Sequence, residues 1–114
     1  MIKAIRLISG VVFVVFGAGK FVNHSSELAS FRGYGLPAPE VFVIVIGVIE
    51  LVGGALLIAN RFVTPAALVL AADMIGAIVV SGIDKGELIS LTLAPALLLA
   101  MVVLLREQAS GRQR

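Results

Sequence analysis

The 114-residue chain is 60% hydrophobic, only 14% charged and free of cysteine, with a formal net charge of +2. A soluble domain carries about a quarter of its residues as charged side chains, so this composition excludes a soluble fold. The missing cysteine excludes disulfides, thiolate metal sites and a thiol relay within the chain. Basic residues scattered at helix ends, without interleaved aromatics, exclude nucleic acid as a partner.

Four apolar spans are expected, over residues 4–22, 41–59, 62–83 and 88–105, each bounded by polar residues. They define an all-α class, an integral membrane four-helix bundle occupying 1–107. A polar tail over 108–114 is expected to be disordered and suits contact with anionic headgroups. The opening MIKAIR followed by an apolar run is similar to a secretory signal. No clear small-x-small cleavage site precedes Lys20, so the segment is read as a retained first helix.

Orientation follows from the basic residues. With the N-terminus inside, Lys3, Arg6, Arg61, Arg106, Arg112 and Arg114 are cytoplasmic and outnumber Lys20, Arg32 and Lys85 outside. The chain is therefore expected to be multi-pass in a bacterial-type inner membrane, with both termini in the cytoplasm.

The first span carries Arg6, Gly10, Phe13, Gly17 and Lys20 at spacings of four, three, four and three, which share one helical face. A cation stands near each end, with glycines between them where another backbone or a ligand can approach. The plain alternative is that Arg6 and Lys20 reach to opposite headgroup layers while the glycines pack helices. The loop over 24–40 is expected to hold a short interfacial helix over 26–31, with Leu28 and Phe31 as its apolar contacts. Pro37 and Pro39 then lead into the second span. His24 reads as an interfacial loop residue, because no second ligand lies at metal-binding spacing.

In the second span Gly47, Glu50 and Gly54 share a face, so the acid is expected to point at a neighbouring helix. Glu50 falls near the middle of its span, where a charge costs a few kcal/mol on lenient insertion scales (~2.5–3.5). The third span places Asp73 and Gly76 on one face. Glu50 lies eleven residues before Arg61 and Asp73 twelve after it, so a hairpin turning at Asn60-Arg61 brings both acids to one depth. Facing each other in a low dielectric, both cannot cheaply be charged, and one is expected to hold a proton.

Lys20 lies seven residues from the middle of its own span, ~10 Å of helical rise, so its contact with Glu50 is expected to need helix tilt or a bridging water. In the fourth span Pro95 frees the carbonyl of Leu91 near mid-membrane, with Ser90 and Thr92 as nearby hydroxyls. The candidate ligand-binding or proton-handling residues are thus Glu50, Asp73, Lys20 and Arg6. The candidate close-approach residues are Gly10, Gly17, Gly47, Gly54, Gly76 and Pro95. The plain alternative for both acids is polar glue between helices, worth ~1 kcal/mol per bond. No nucleophile–base pair, phosphate loop or metal cluster is visible, so no autonomous catalytic site is expected.

Together, R-x3-G-x6-G-x2-K (Arg6, Gly10, Gly17, Lys20), the loop Gly35-Leu36-Pro37 and E-x2-G-G-x2-L (Glu50, Gly53, Gly54, Leu57) resemble the DoxX family. The resemblance covers nearly the whole chain. It implies a small integral membrane protein, with related subunits in thiosulfate:quinone oxidoreductases and in membrane redox-stress complexes. Arg6, Lys20 and Glu50 are the positions it carries over; Asp73 has no counterpart in the motif. The chain lacks cysteine, so any sulfur chemistry would need a partner subunit or a bound quinone.

The expected function is therefore an accessory, non-catalytic subunit of a quinone-linked oxidoreductase. It would bind a quinone or other lipophilic ligand between its helices and contact lipid, soluble or membrane oxidoreductase subunits, or a second copy of itself. A scaffold without a ligand is the alternative. A small proton-coupled exporter fits less well, because the first span carries cations where such exporters carry their key carboxylate.

Overall fold

The computed structural model describes residues 1–35, 37–83 and 88–110, the side chains of 81–83 and 88–91 excepted. Leu36 of the expected loop, the short turn over 84–87, the Ser90 hydroxyl and tail residues 111–114 lie outside the described residues. Five α-helices appear: α1 (Ile2–Val22), α2 (His24–Gly33), α3 (Pro39–Ala59), α4 (Val63–Ala77) and α5 (Leu88–Ala109). A π-helical segment, Ile78–Ile83, continues α4. Among the described residues there are no strands.

Each boundary has a local cause. Asn23, at φ −106° and ψ 42°, leaves helical geometry for one residue and separates α1 from α2. Pro39 opens α3 at a position where its missing N–H costs nothing. Asn60 closes α3 in the left-handed region, which asparagine tolerates, and its N–H returns to the carbonyls of Leu56 and Leu57. Phe62 is also left-handed, at φ 51°, before α4 begins. With two left-handed residues within three, the chain reverses, and α3 and α4 become antiparallel neighbours.

The expected spans are present with shifted ends. The short interfacial helix is longer than expected, reaching from His24 to Gly33, and it buries no residue. The fourth span runs on to Ala109, where Ser110 Oγ donates to the carbonyl of Glu107, so the tail begins later than expected. The π-helical end of the third span was not anticipated; such segments recur at functional sites.

Four helices are long and apolar enough to cross a membrane, with windows that are only 22–33% buried inside the bundle. The remainder faces outward as apolar surface, including Val15, Val52, Leu68 and Leu99. Water would penalise so large an apolar exterior, whereas hydrocarbon accommodates it, provided that every backbone group is satisfied within the helices. The interior is a layer of Phe13, Leu57, Leu70 and Met101, all fully buried, with Met74, Leu97 and Leu104 beside them.

α1 packs most extensively against α3, and glycine is the reason. A Cβ on Gly10 would lie 2.8 Å from the carbonyl oxygen of Gly54, and one on Gly54 would lie 2.6 Å from that of Gly10. A Cβ on Gly17 would meet the Gly47 carbonyl at 2.8 Å. The two backbones touch, which only glycine permits, so the packing expected of Gly10, Gly17, Gly47 and Gly54 is present.

Gly76 and Pro95 depart from the expected pattern. A Cβ on Gly76 would have nothing within 4 Å, so this glycine faces open space rather than a helix. Pro95 is inside α5 but exposed, because the buried face of that helix is carried by Ala94, Leu97, Met101 and Leu104.

Candidate functional site

The close approach of α1 to α3 sets the register that builds the site. Gly17 is level with Gly47 and Leu51, and Gly10 with Gly54 and Ile58. Lys20, three residues beyond Gly17, is therefore about one turn (~6 Å) from the level of Glu50, within reach of a lysine side chain. Lys20 Nζ donates to Glu50 Oε1 at 2.8 Å. The contact is direct, so of the two expected routes no bridging water is needed.

The pair is dry. Glu50 is 2% exposed and the Lys20 side chain 11%. A lone carboxylate at this depth would be costly; the ammonium supplies the opposite charge together with a hydrogen bond. Lys20 also lies 4.0 Å from Glu27 of α2, whose side chain is 36% exposed, so one ammonium stands between an outer and an inner acid.

Asp73 comes to the same place from α4. It lines the same cavity as Lys20 and Glu50. One oxygen of Asp73, Oδ2, is buried without a hydrogen-bond donor among the described residues.

These groups open onto a cavity of about 560 Å³. α1 contributes Phe16, Gly19 and Lys20 to its wall, and α3 contributes Phe42, Ile46 and Glu50. From the other side come Asp73, Met74 and Gly76 of α4, with Val80 of the π-helical segment and Ala94 of α5. α2 forms the remaining wall with Glu27, Ser30 and Phe31, and Tyr34 just after it adds to that wall. The rings of Phe31 and Tyr34 are 5.4 Å apart. An apolar, partly aromatic lining with a few convergent polar groups, at this volume, is the usual character of a small-molecule site.

Arg6 does not join them. It is 6% exposed and its Nη1 donates to the carbonyls of Leu57 and Ile58. Those are among the last carbonyls of α3, which lack an intrahelical donor and carry the negative end of the helix dipole. Arg6 therefore caps α3 at the end of the bundle opposite α2, instead of reaching to the headgroups or to a ligand. His24 Nδ1 lies 3.3 Å from the carbonyl of Lys20, and no group of metal-binding side chains forms among the described residues.

The contribution of α2 was missed in the sequence. Glu27 lies seven residues after Lys20, a spacing that returns to the same side of a helix after two turns, but the break at Asn23 obscures it. Phe31 was expected to touch the interface, and it faces the cavity instead.

The fold and the site together define a multi-pass membrane protein that holds a buried ion pair and a second acid against a lipophilic cavity. The chain belongs to the DoxX family, whose model matches residues 1–82. It is 38% identical over 79 residues to the "Uncharacterized membrane protein Rv3486" of Mycobacterium tuberculosis, covering 68% of this chain and 48% of that protein. It is 33% identical over 75 residues to the "Putative oxidoreductase CatD" of Bacillus subtilis, covering 66% of this chain and 54% of that one. The chain spans about half the length of these curated relatives. No solved structure matches it.

Proposed function

We propose that the protein is an accessory subunit of a membrane redox complex and holds a quinone or similar lipophilic ring in the cavity beside Lys20, Glu50 and Asp73. The observation that carries this reading is a largely apolar cavity of about 560 Å³ onto which Lys20, Glu50 and Asp73 converge. The residues fit such a ring. Phe16, Phe31, Phe42 and Met74 offer flat or adaptable apolar contacts, while Lys20 and Asp73 offer polar contacts at the buried end. A bound quinone supplies reversible carriage of two electrons and two protons. The protein's part is to bind and orient the ring, and to keep Glu50 neutralised by Lys20.

The oxidoreductase name of one relative supports a redox setting, and the distribution of Lys and Arg supports a bacterial-type inner membrane with both termini cytoplasmic. In that orientation α2 and the cavity mouth lie on the outer side.

Native mass spectrometry with lipid extraction, on protein taken from membranes, tests the reading. Gly76→Leu is the matched variant: Gly76 lines the cavity, and a Cβ there has no neighbour within 4 Å. A quinone carried by wild type and absent from the folded variant is the expected result. No specific small molecule in wild type, with a protein partner retained by both, would replace this reading with that of a scaffold.

A further inference from the structure

The cavity wall holds more acid than base. Among the described residues its charged or chargeable side chains, the Tyr34 phenol aside, are Lys20, Glu27, Glu50 and Asp73. Lys20, the one cation among them, is committed to Glu50 at 2.8 Å and stands 4.0 Å from Glu27. Arg32 pairs with Glu40 at 3.6 Å, and Arg6 caps the far end of α3, so neither adds positive charge to the wall. If Asp73 holds a proton, two carboxylates face one ammonium; if it is ionised, three do. The balance is negative in either state.

That sum sorts ligands by the charge of the head. An anionic head loses its hydration and finds no cation free of an acid, while the excess carboxylate repels it. An uncharged head is indifferent to the sum. A cationic head meets the excess carboxylate and the faces of Phe16, Phe31, Phe42 and Tyr34, which line the same space. The Glu27 side chain is 36% exposed, so water and salt moderate its share of the attraction.

We infer that the cavity is a site for lipophilic cations: it takes an aromatic ring bearing an ammonium head more tightly than the same ring with a neutral head, and rejects the ring with a carboxylate. This rests on the reading of the cavity as a ring site. It adds a second ligand class that competes there with a quinone, and it makes Glu27 and Asp73, rather than the Lys20–Glu50 pair, the residues that set the preference.

The test is calorimetric titration of the purified full chain, in uncharged detergent at neutral pH. The probes are 6-phenylhexylamine, 6-phenylhexanol and 6-phenylhexanoate, which share a ring and a chain and differ in head charge, with decylubiquinone and decylubiquinol as quinone-type rings. Wild type is expected to bind the amine about tenfold more tightly than the alcohol, the order of one partly screened charge contact with aromatic support, and the carboxylate more weakly than either. The Glu27→Gln, Asp73→Asn double variant keeps side-chain size and the Lys20–Glu50 pair, and its amine-to-alcohol ratio is expected to fall to near one. Glu27→Gln alone, on a helix that buries no residue, is expected to lose part of the preference. Equal binding of amine and alcohol by wild type, tightest binding of the carboxylate, or an undiminished preference in either folded variant would overturn this inference and leave the ring site standing wherever decylubiquinone binds. Binding of the amine without either quinone-type ring would keep the inference and remove the quinone. Binding of none of the probes by folded wild type would remove the ring site and the inference with it.

Discussion

Lys20 and Glu50, thirty residues apart in sequence, meet at 2.8 Å inside the bundle because four glycines bring α1 and α3 into backbone contact. The ion pair is thus a product of helix packing, and the packing in turn has to accommodate a charge at mid-depth. Neither can be altered without affecting the other.

Removing the cation should cost more than removing the pair. Lys20→Met leaves Glu50 buried without its partner and is expected to destabilise by about 3–5 kcal/mol, the usual range for breaking one side of a buried pair. The Lys20→Met, Glu50→Gln double variant should recover at least half of that loss. Unfolding of the three proteins in mixed micelles measures it; equal stability of Lys20→Met and the double variant would show that the charges are not coupled.

The glycines should separate sharply by position. Gly54→Ala places a methyl 2.6 Å from the Gly10 carbonyl oxygen, which belongs to backbone and cannot swing aside. A loss of about 1–3 kcal/mol is expected from overpacking. Gly76→Ala meets nothing within 4 Å and should be neutral or stabilising by up to about 1 kcal/mol, through helix propensity. Thermal midpoints of the two variants decide this, and a reversed order would refute the α1–α3 contact.

Arg6 should matter for stability and not for ligand. Arg6→Met removes the charged donor from the Ile58 carbonyl and leaves the Leu57 carbonyl only the Asn60 N–H, at a cost of about 1.5–3 kcal/mol for hydrogen bonds from a charged group. Faster amide exchange around Asn60 should accompany the loss, while the affinity for decylubiquinol stays within twofold of wild type. A large affinity change would place Arg6 in the site after all.

The wall supplied by α2 should show the opposite pattern. Phe31 lines the cavity from a helix that buries no residue. Phe31→Ala is therefore expected to lower quinol affinity about tenfold, the order of one lost aromatic contact, with less than about 1 kcal/mol of stability lost. Paired titration and unfolding experiments check it; unchanged affinity would remove α2 from the site.

The absence of cysteine makes orientation directly measurable. Ser26→Cys on α2 and Ser110→Cys beyond α5 both fall on exposed positions at opposite ends of the bundle. In intact cells a membrane-impermeant maleimide is expected to label the first and spare the second. The reverse result would invert the proposed topology and put the cavity mouth on the cytoplasmic side.

The sequence by itself determined the spans and that Glu50 and Asp73 fall near one level of the bundle. Transfer of apolar side chains into hydrocarbon is a local, additive property, so four apolar runs read as four helices. Equal counting from Arg61 puts Glu50 and Asp73 at one level, and both line one cavity, because a tight turn leaves an antiparallel pair little freedom of register. Only the tertiary structure decided which partner each polar residue takes. Helix periodicity shows that Lys20 and Arg6 share a face with Gly10 and Gly17, but not how far α1 slides along α3. That sliding, fixed by the Gly10–Gly54 and Gly17–Gly47 contacts, gives Lys20 to Glu50 and Arg6 to the end of α3. The same is true of Gly76, Pro95 and the wall made by α2: each depends on the shape left between packed helices, and residues far apart in the chain decide that shape together.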